Sequence, residues 1–296
     1  MTQPEAPVPK IFPDGHYYSP IPDAADLRRR SAQIWAPRDA MPGVDLREPQ
    51  QLALLRAVAA HTAAIDWPVD DPGTPGTPGT VTGVPASPPV YFYRNGMFPV
   101  LDAEFLFAAL CHFRPARVIE VGSGFSSLVM ADANTRVLGG RIDITCIEPY
   151  PRDFVRAGVP GISRLREERV EEVALDVFAQ LGAGDLLFID SSHVSKTGSD
   201  VNFLFFEVLP RLAPGVLVHL HDIFLPDEYP QPWVLGEGRS WNEQYLLRAF
   251  LQYNAEWEVL WMAHYMLARH PEAVSAVFPR CPALGNGGSF WMRRRG

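Results

Sequence analysis

The stretch RVIEVGSGFSSLVMADAN, Arg117 to Asn134, contains the pattern that decides the fold of this 296-residue chain. A run of β-favouring residues carries the acid Glu120, turns at Gly122 and Gly124, and continues into an apolar pattern typical of a helix. A buried strand that leads into a helix through glycines directs backbone N–H groups at a ligand. The ligand of such a turn can be a dinucleotide, a phosphate or an adenosyl cofactor, and other features of the sequence must distinguish them.

The composition is that of a soluble globular protein, with 47% apolar and 20% charged residues. A net charge of −8 argues against a nucleic-acid partner, because phosphate binding requires clustered Lys and Arg. The three cysteines form no C-x-x-C pair, which favours reduced thiols in a cytoplasmic protein. No secretory signal and no apolar run of ~18–20 residues is present, so no membrane partner is expected. A small-molecule substrate and a homo-oligomer fit this composition.

The chain divides into three parts by composition. Residues 1–70 are a proline-rich N-terminal appendage, which contains a predicted helix from 50 to 65 and has a potential role as a lid. Residues 71–90 form a Pro/Gly/Thr-rich linker or loop in which the unit P-G-T repeats, and such a segment has little apolar surface to bury. Residues 91–296 are the main domain.

Strands and helices alternate through most of the main domain, which predicts a parallel sheet covered by helices on both faces. A helix is expected to begin with Asp102 as its cap. Two late strands, Trp257–Met266 and 287–294, are expected to be joined by a loop and to form an antiparallel hairpin at the sheet edge. The predicted fold class is therefore α/β, a doubly wound, mostly parallel seven-stranded sheet with a C-terminal antiparallel hairpin and an N-terminal helical or irregular appendage.

The residues of the turn favour an adenosyl ligand over a dinucleotide. The dinucleotide fingerprint G-x-G-x-x-G requires a third glycine, and Ser127 stands at that position. The carboxylate of Glu120 would repel a pyrophosphate on the same turn, whereas it suits an ammonium group.

Four motifs in order make residues 95–296 resemble the class I S-adenosylmethionine-dependent methyltransferases: VIEVGSGFSS, CIEPYP, GDLLFIDSSH and LPRLAPGVLVHLHDIF. The resemblance implies that S-adenosylmethionine is the cofactor, that Gly122 and Gly124 pack against its methionine portion, and that Glu120 acts near its amino group. Glu148 would accept hydrogen bonds from both ribose hydroxyls. The complete set of predicted cofactor-binding residues is Glu120, Gly122, Ser123, Gly124, Phe125, Ser126, Glu148, Pro149, Asp190 and Ser191.

Acids and imidazoles follow two strands that are neighbours in this fold. Asp190 and His193 follow the fourth strand, and His221 and Asp222 follow the fifth, so their side chains are expected at one site. A narrower resemblance to metal-dependent small-molecule and sugar O-methyltransferases implies a divalent metal on Asp190, His221 and Asp222. Because His221 stands where those relatives usually place an acid, a metal softer than Mg²⁺, or none, is also open.

The expected reaction is in-line transfer of a methyl group from S-adenosylmethionine to a hydroxyl of a small molecule or sugar. The predicted catalytic residues are His193, Asp190 and Asp222, with His193 as general base or a metal as the group that acidifies the hydroxyl. Two alternatives are an NAD(P)-dependent oxidoreductase and a non-catalytic adenosyl-binding module.

Overall fold

A seven-stranded sheet forms the centre of the protein in a computed structural model that describes residues 10–72, 89–284 and 287–296. The sheet order is β3-β2-β1-β4-β5-β7-β6, with the last two strands antiparallel to the rest. The strands are β1 (Arg117–Val121), β2 (Asp143–Ile147), β3 (Arg164–Arg166), β4 (Leu186–Ile189), β5 (Leu217–Leu220), β6 (Trp257–Met262) and β7 (Phe290–Arg294). This order confirms the predicted fold class.

Helices cover both faces of the sheet and also occur in the N-terminal part of the chain. They are α1 (Ala24–Arg29), α2 (Ser31–Ile34), α3 (Glu48–Val58), α4 (Val100–Phe113), α5 (Phe125–Asp132), α6 (Asp153–Arg156), α7 (Leu175–Phe178), α8 (Asp200–Phe203), α9 (Gln231–Leu235), α10 (Glu243–Leu251), α11 (Ala263–Arg269), α12 (Pro271–Val277) and α13 (Cys281–Leu284). Helices α5 and α8 continue as π-helical turns, Ala133–Val137 and Leu204–Val208. In the described part of the chain, no helix is both long and apolar enough to cross a membrane.

The parallel pairing brings the ends of four strands to one edge of the sheet. Strand β1 lies between β2 and β4, with Glu120 opposite Cys146 on one side and Phe188 on the other. Strand β5 pairs with β4, so that Ile189 faces Leu220 at the last position of both strands. The strands are buried on both faces, which explains their nearly continuous apolar sequence. Loops that follow β1, β2, β4 and β5 therefore meet at the same edge.

Both late strands are present, but both were predicted too long: β7 begins at Phe290 and not at residue 287. Strand β6 ends at Met262, and residues 263–266 already belong to helix α11. The segment is buried throughout, and a short, uniformly apolar run has no periodicity that separates a strand from a buried helix. The predicted connecting loop is also wrong, because α11, α12 and α13 occupy the connection.

Asp102 does not cap helix α4, contrary to the prediction. The helix begins at Val100 after Pro99, and Asp102 lies fully buried in its first turn. Its two carboxylate oxygens accept hydrogen bonds from the backbone N–H groups of Gly288 (2.8 Å) and Ser289 (3.0 Å). The side chain thus ties α4 to the segment that enters β7, because those two amides would otherwise be buried without acceptors.

Part of the predicted appendage packs onto the main sheet. Helix α3 places Leu55 and Val58 in the same hydrophobic core as the sheet, and the N–H of Met262 donates to Gln51 Oε1 (2.8 Å). The Trp67 indole donates to Asp132 at the end of α5 (2.8 Å). The boundaries proposed at residues 70 and 90 stay predictions, and residues 73–88 of the predicted linker lie outside the described residues.

Candidate active site at the strand ends

The glycine turn after β1 is packed directly against the end of β4. Gly122 has a φ of +83°, and a Cβ at this position would lie 1.9 Å from the carbonyl oxygen of Asp190. Its N–H donates to the carbonyl of Ile147 at the end of β2 (2.9 Å). Only glycine combines this left-handed backbone with such a close approach. The turn therefore sits in the crevice between β2 and β4.

Glu148 follows β2 and holds this turn from the other side. One carboxylate oxygen accepts from the N–H of Ser123 (3.2 Å) and the other from the N–H of Tyr150 (2.8 Å). The side chain is half-buried and lines two cavities, so its remaining lone pairs face open space.

Glu120 lines neither of the two cavities that Glu148 lines, and its predicted action near the amino group of the cofactor stays a prediction. Its carboxylate is fully buried and accepts from Ser126 Oγ (2.7 Å), Ser127 Oγ (2.6 Å) and Cys146 Sγ (3.0 Å). Because side chains alternate along a strand, Glu120 points beneath the turn into the start of α5. Burial, only partly offset by these hydrogen bonds, raises the pKa of Glu120 to about 7.

Two cavities flank the glycine turn. The first, which we call the strand-end cavity, has a volume of about 340 Å³ and includes Glu148, Pro149 and Ser191 in its lining. The second, the glycine-turn cavity, has a volume of about 240 Å³ and is lined by the turn itself and the start of α5. Of the ten predicted cofactor-binding residues, nine line one or both cavities: Gly122, Ser123, Gly124, Phe125, Ser126, Glu148, Pro149, Asp190 and Ser191.

A third and larger cavity opens on the other side of Asp190. This cavity, the aromatic chamber, has a volume of about 990 Å³, and Phe224, Trp233 and Trp241 form part of its wall. The Arg239 guanidinium lies over both indole rings, 4.0 Å and 4.5 Å from their centroids. Asp190 lines all three cavities and is the residue at which they adjoin.

The N-terminal segment reaches the wall of the aromatic chamber. Trp35 donates its indole N–H to the carbonyl of Tyr229 (2.8 Å), and the N–H of Arg38 donates to Asp227 (2.7 Å). Both acceptors lie just before α9, whose residues Pro232 and Trp233 line the chamber. Tyr17 and Tyr18, which belong to the appendage with a potential role as a lid, have exposed rings and are not among the described residues that line the chamber.

Three of the predicted catalytic and metal-binding side chains converge on the chamber floor. Asp190, His193 and Asp222 each offer one ligand atom, and these atoms lie within 4.8 Å of one another. His193 Nε2 is 3.4 Å from an oxygen of Asp190 and 3.7 Å from one of Asp222. His193 and Asp222 have positive φ values of 61° and 56°, backbone strain of a kind that concentrates at functional sites.

His193 is held by a residue that the sequence left undecided. Its Nδ1 lies 2.9 Å from Glu243 at the start of α10, and both side chains are buried. Burial opposes a charge on His193, but the hydrogen bonds with Asp190 and Glu243 outweigh it and raise the pKa of the imidazole to about 10. The neighbouring His221 and His193 overcome the burial of Asp190 and lower its pKa to about 2. These groups therefore form an ion-paired cluster.

His221 lies beside this cluster and also lines the aromatic chamber. Its Nδ1 is 3.6 Å from Asp190 and 3.5 Å from Asp222, while its Nε2 faces Asp102 at 3.3 Å. Burial disfavours the charged imidazole, but the three carboxylates raise the pKa of His221 well above its usual range. The predicted metal set of Asp190, His221 and Asp222 stays a prediction, and Asp190, His193 and Asp222 form a second candidate group, whose ligand atoms lie within 4.8 Å of one another.

The roles of Glu243 and Asp102 at the site were not predicted from the sequence. The polar sequence Asn242-Glu243-Gln244 is equally compatible with a solvent-facing helix start, yet Glu243 and Gln244 are fully buried. A glutamate in the first turn of an amphipathic helix is ordinarily a dipole partner, so no local signal distinguishes Glu243. Its role depends on a contact with a residue 50 positions earlier.

A comparison with known protein families matches the part of the chain that contains the glycine turn and the ends of β4 and β5. Residues 119–223, from β1 to just past β5, match the family model of a methyltransferase domain. These residues form a methyltransferase domain, in agreement with the class I S-adenosylmethionine-dependent methyltransferases that the sequence resembles. The chain is 36% identical over 178 residues to an uncharacterized protein from Archaeoglobus fulgidus, a match that covers 59% of this chain and 75% of the archaeal one.

Solved structures with a similar course include two O-methyltransferases. TomG from Streptomyces achromogenes, determined with S-adenosylmethionine, is 14% identical over 93% of this methyltransferase and 97% of TomG, with a TM-score of 0.40. An O-methyltransferase from Bacillus cereus, determined with S-adenosylhomocysteine, is 13% identical over 91% and 97% of the two chains, with a TM-score of 0.38. Likeness at this level decides nothing about the substrate. The family assignment sets aside the oxidoreductase and non-catalytic alternatives.

Proposed function

We propose that this methyltransferase transfers the methyl group of S-adenosylmethionine to a hydroxyl of a small molecule or sugar bound in the aromatic chamber. The observation that carries the proposal is the position of Asp190, which lines the two cavities at the glycine turn and also the chamber. A donor on one side of Asp190 and an acceptor on the other would meet at this residue. In-line transfer requires such an arrangement, because the reacting atoms must approach to about 3–3.5 Å.

The residues around the glycine turn fit the cofactor. Glu148 presents a carboxylate to the strand-end cavity, and a carboxylate pairs well with two ribose hydroxyls. Within the described residues, the buried Ser123 Oγ and Ser191 Oγ have no hydrogen-bond partner, although each lines a cofactor cavity. Buried hydroxyls without hydrogen-bond partners are uncommon. A bound cofactor would give both hydroxyls a partner, which agrees with the proposal. Glu120 would support the turn from below.

The acceptor hydroxyl would attack the sulfonium methyl carbon. The new C–O bond forms as the C–S bond breaks, the sulfur keeps that electron pair as S-adenosylhomocysteine, and the hydroxyl proton must leave. His193 is the predicted base, but it is protonated at neutral pH and accepts a substrate proton only after losing its own. A divalent ion on Asp190, His193 and Asp222 would instead acidify a bound hydroxyl. The proposal includes both routes for removing the hydroxyl proton.

Binding and turnover experiments test the proposal. Calorimetry with S-adenosylhomocysteine and with NAD⁺ should give binding of the adenosyl ligand alone. A screen of hydroxylated metabolites with methyl-labelled S-adenosylmethionine should give a labelled ether. Label found only on nitrogen, carbon or carboxylate acceptors would overturn the assignment of a hydroxyl as the acceptor. The cytoplasmic location stays a prediction.

A further inference from the structure

The ring of His193 is fixed by a buried carboxylate on the side away from the chamber. Glu243 Oε2 lies 2.9 Å from Nδ1, and the Glu243 side chain is fully buried. Among the described residues, the second oxygen, Oε1, has no hydrogen-bond partner, so this carboxylate serves no other visible contact. The indole of Trp241 covers the imidazole, with ring centroids 4.4 Å apart. Nε2 is therefore the nitrogen left for the chamber.

The backbone of His193 is held by the same helix start. Its carbonyl oxygen accepts from the N–H groups of Asn242 (3.1 Å) and Glu243 (3.2 Å). The side chain of Asn242 brackets Ser195, accepting from its N–H (2.6 Å) and donating to its carbonyl (3.2 Å). These contacts stabilise the left-handed backbone of His193, which a histidine seldom adopts unaided. The first turn of α10 thus sets both the position and the rotation of the imidazole.

This arrangement has the features of a supported metal ligand. Metal-bound histidines usually give their second ring nitrogen to a carboxylate, which fixes the ring and strengthens the donor. Nε2 of His193 and one oxygen each from Asp190 and Asp222 lie within 4.8 Å of one another. The donor set is therefore one nitrogen and two oxygens on one wall of an open chamber. Positions on the chamber side are left for an acceptor oxygen.

We infer that Asp190, His193 and Asp222 bind a first-row transition-metal ion such as Zn²⁺ or Co²⁺ in preference to Mg²⁺, and that Glu243 is the positioning residue for His193. A fixed imidazole favours such ions, whereas Mg²⁺ prefers an octahedron of oxygens. His221 also lines the chamber, but its ring is held less firmly. Its Nε2 lies 3.3 Å from Asp102 and has no hydrogen-bond partner among the described residues, whereas Nδ1 of His193 lies 2.9 Å from Glu243. The inference deepens the proposed function, which places the acceptor in this chamber.

Metal affinity of the full-length protein tests the inference without any turnover. The Zn²⁺ affinity is measured by competition with a chromophoric chelator, the Mg²⁺ affinity by calorimetry, and the Co²⁺ environment by visible absorption. The variants are His193→Ala, Glu243→Gln and His221→Gln. Glu258→Gln is the matched control, since Glu258 is also a buried glutamate but lies in β6, away from the chamber. Circular dichroism verifies that each variant is folded.

The expected result is that Zn²⁺ binds more tightly than Mg²⁺ to the unmodified protein and to the Glu258→Gln control. Glu243→Gln should weaken Zn²⁺ binding about 10- to 100-fold, the usual effect of removing an outer carboxylate. His193→Ala should weaken it further and change the Co²⁺ spectrum. Equal affinities for Zn²⁺ and Mg²⁺, or unchanged Zn²⁺ affinity in folded His193→Ala or Glu243→Gln, would overturn the inference. So would a larger loss in His221→Gln than in His193→Ala.

Binding of S-adenosylhomocysteine, measured in the same samples, separates this inference from the proposed function. A protein that binds the adenosyl ligand but shows no preference for Zn²⁺ contradicts only the metal assignment. A protein that binds Zn²⁺ at His193 but does not bind the adenosyl ligand contradicts the proposed function.

Discussion

Replacing Glu148 by Gln should weaken cofactor binding while leaving the fold intact. The substitution keeps the size of the side chain and one carbonyl oxygen, but removes the charge and one acceptor. Glu148 is half-buried at the end of β2, and its oxygens accept from the N–H groups of Ser123 and Tyr150. The Gln side chain retains one of these two backbone contacts. The effect should therefore be concentrated on the ligand.

The magnitude follows from the hydrogen bonds that the ribose would make. A hydrogen bond to a charged group contributes about 1.5–3 kcal/mol, and one between neutral groups about 0.5–1.5 kcal/mol. Exchanging the charged acceptor of two ribose hydroxyls for an amide should then cost about 2–3 kcal/mol. This corresponds to an increase in Kd of about 30- to 150-fold for S-adenosylhomocysteine.

Calorimetry measures the change directly, and thermal unfolding gives an independent value. At a ligand concentration 100 times the Kd of the unmodified protein, binding stabilises that protein by about 2.7 kcal/mol. A variant with 100-fold weaker binding gains only about 0.4 kcal/mol at the same concentration. Without ligand, the two proteins should have similar unfolding midpoints.

Glu172→Gln serves as the matched control. Glu172 is exposed, lies beyond the lining of the strand-end cavity, and loses the same charge on substitution. Its Kd should equal that of the unmodified protein. A Glu148→Gln variant whose Kd changes less than threefold would refute the ribose contact, and with it our placement of the cofactor.

Three further substitutions test the packing that positions the site. Gly122→Ala should lower the unfolding midpoint strongly, because its Cβ would lie 1.9 Å from a backbone oxygen. In the control Gly140→Ala, no described atom lies within 4 Å of the new Cβ, so only a backbone cost of about 1–2 kcal/mol is expected. Equal losses would contradict the close approach. Asp102→Ala should cost about 3–5 kcal/mol in denaturant unfolding, because it leaves buried amides and an imidazole unpaired. The control Asp153→Ala, with its side chain 95% exposed, should leave the midpoint unchanged. Burial raises the pKa of Glu120 to about 7, so the stability that this group contributes below its unfolded pKa is lost as the pH rises. Relative to the Glu120→Gln variant, the free energy of unfolding should fall by about 2–3 kcal/mol between pH 5 and 8. A difference between the two proteins that stays constant with pH would refute the raised pKa.

The grouping of the predicted cofactor-binding residues at one edge of the sheet could be predicted from the sequence, because its determinants are local. The glycines, Glu148 and the strand that precedes each of them lie next to one another in sequence, and parallel strands bring their ends to one edge. Nine of the ten predicted cofactor-binding residues line the two cavities at that edge. The direction of the Glu120 side chain could not be inferred, because a buried strand residue can point to either face when both faces are apolar.

The floor of the aromatic chamber, by contrast, depended on contacts between distant segments. His193 and His221 are equivalent by sequence, since each accompanies an aspartate at the end of a strand. Glu243, 50 residues away, turns Nε2 of His193 to the chamber, while Asp102 faces His221 from helix α4. Tertiary packing made that distinction.

Periodicity and glycine position determined, from the sequence alone, that this chain is a wound parallel sheet with a ligand turn after its first strand. Both signals act over a few residues, as backbone sterics and the alternation of side chains do. Only the tertiary structure decided that both imidazoles approach Asp190 and Asp222, and that Glu243 lies behind one ring and Asp102 behind the other, because these contacts join helices far apart in the chain.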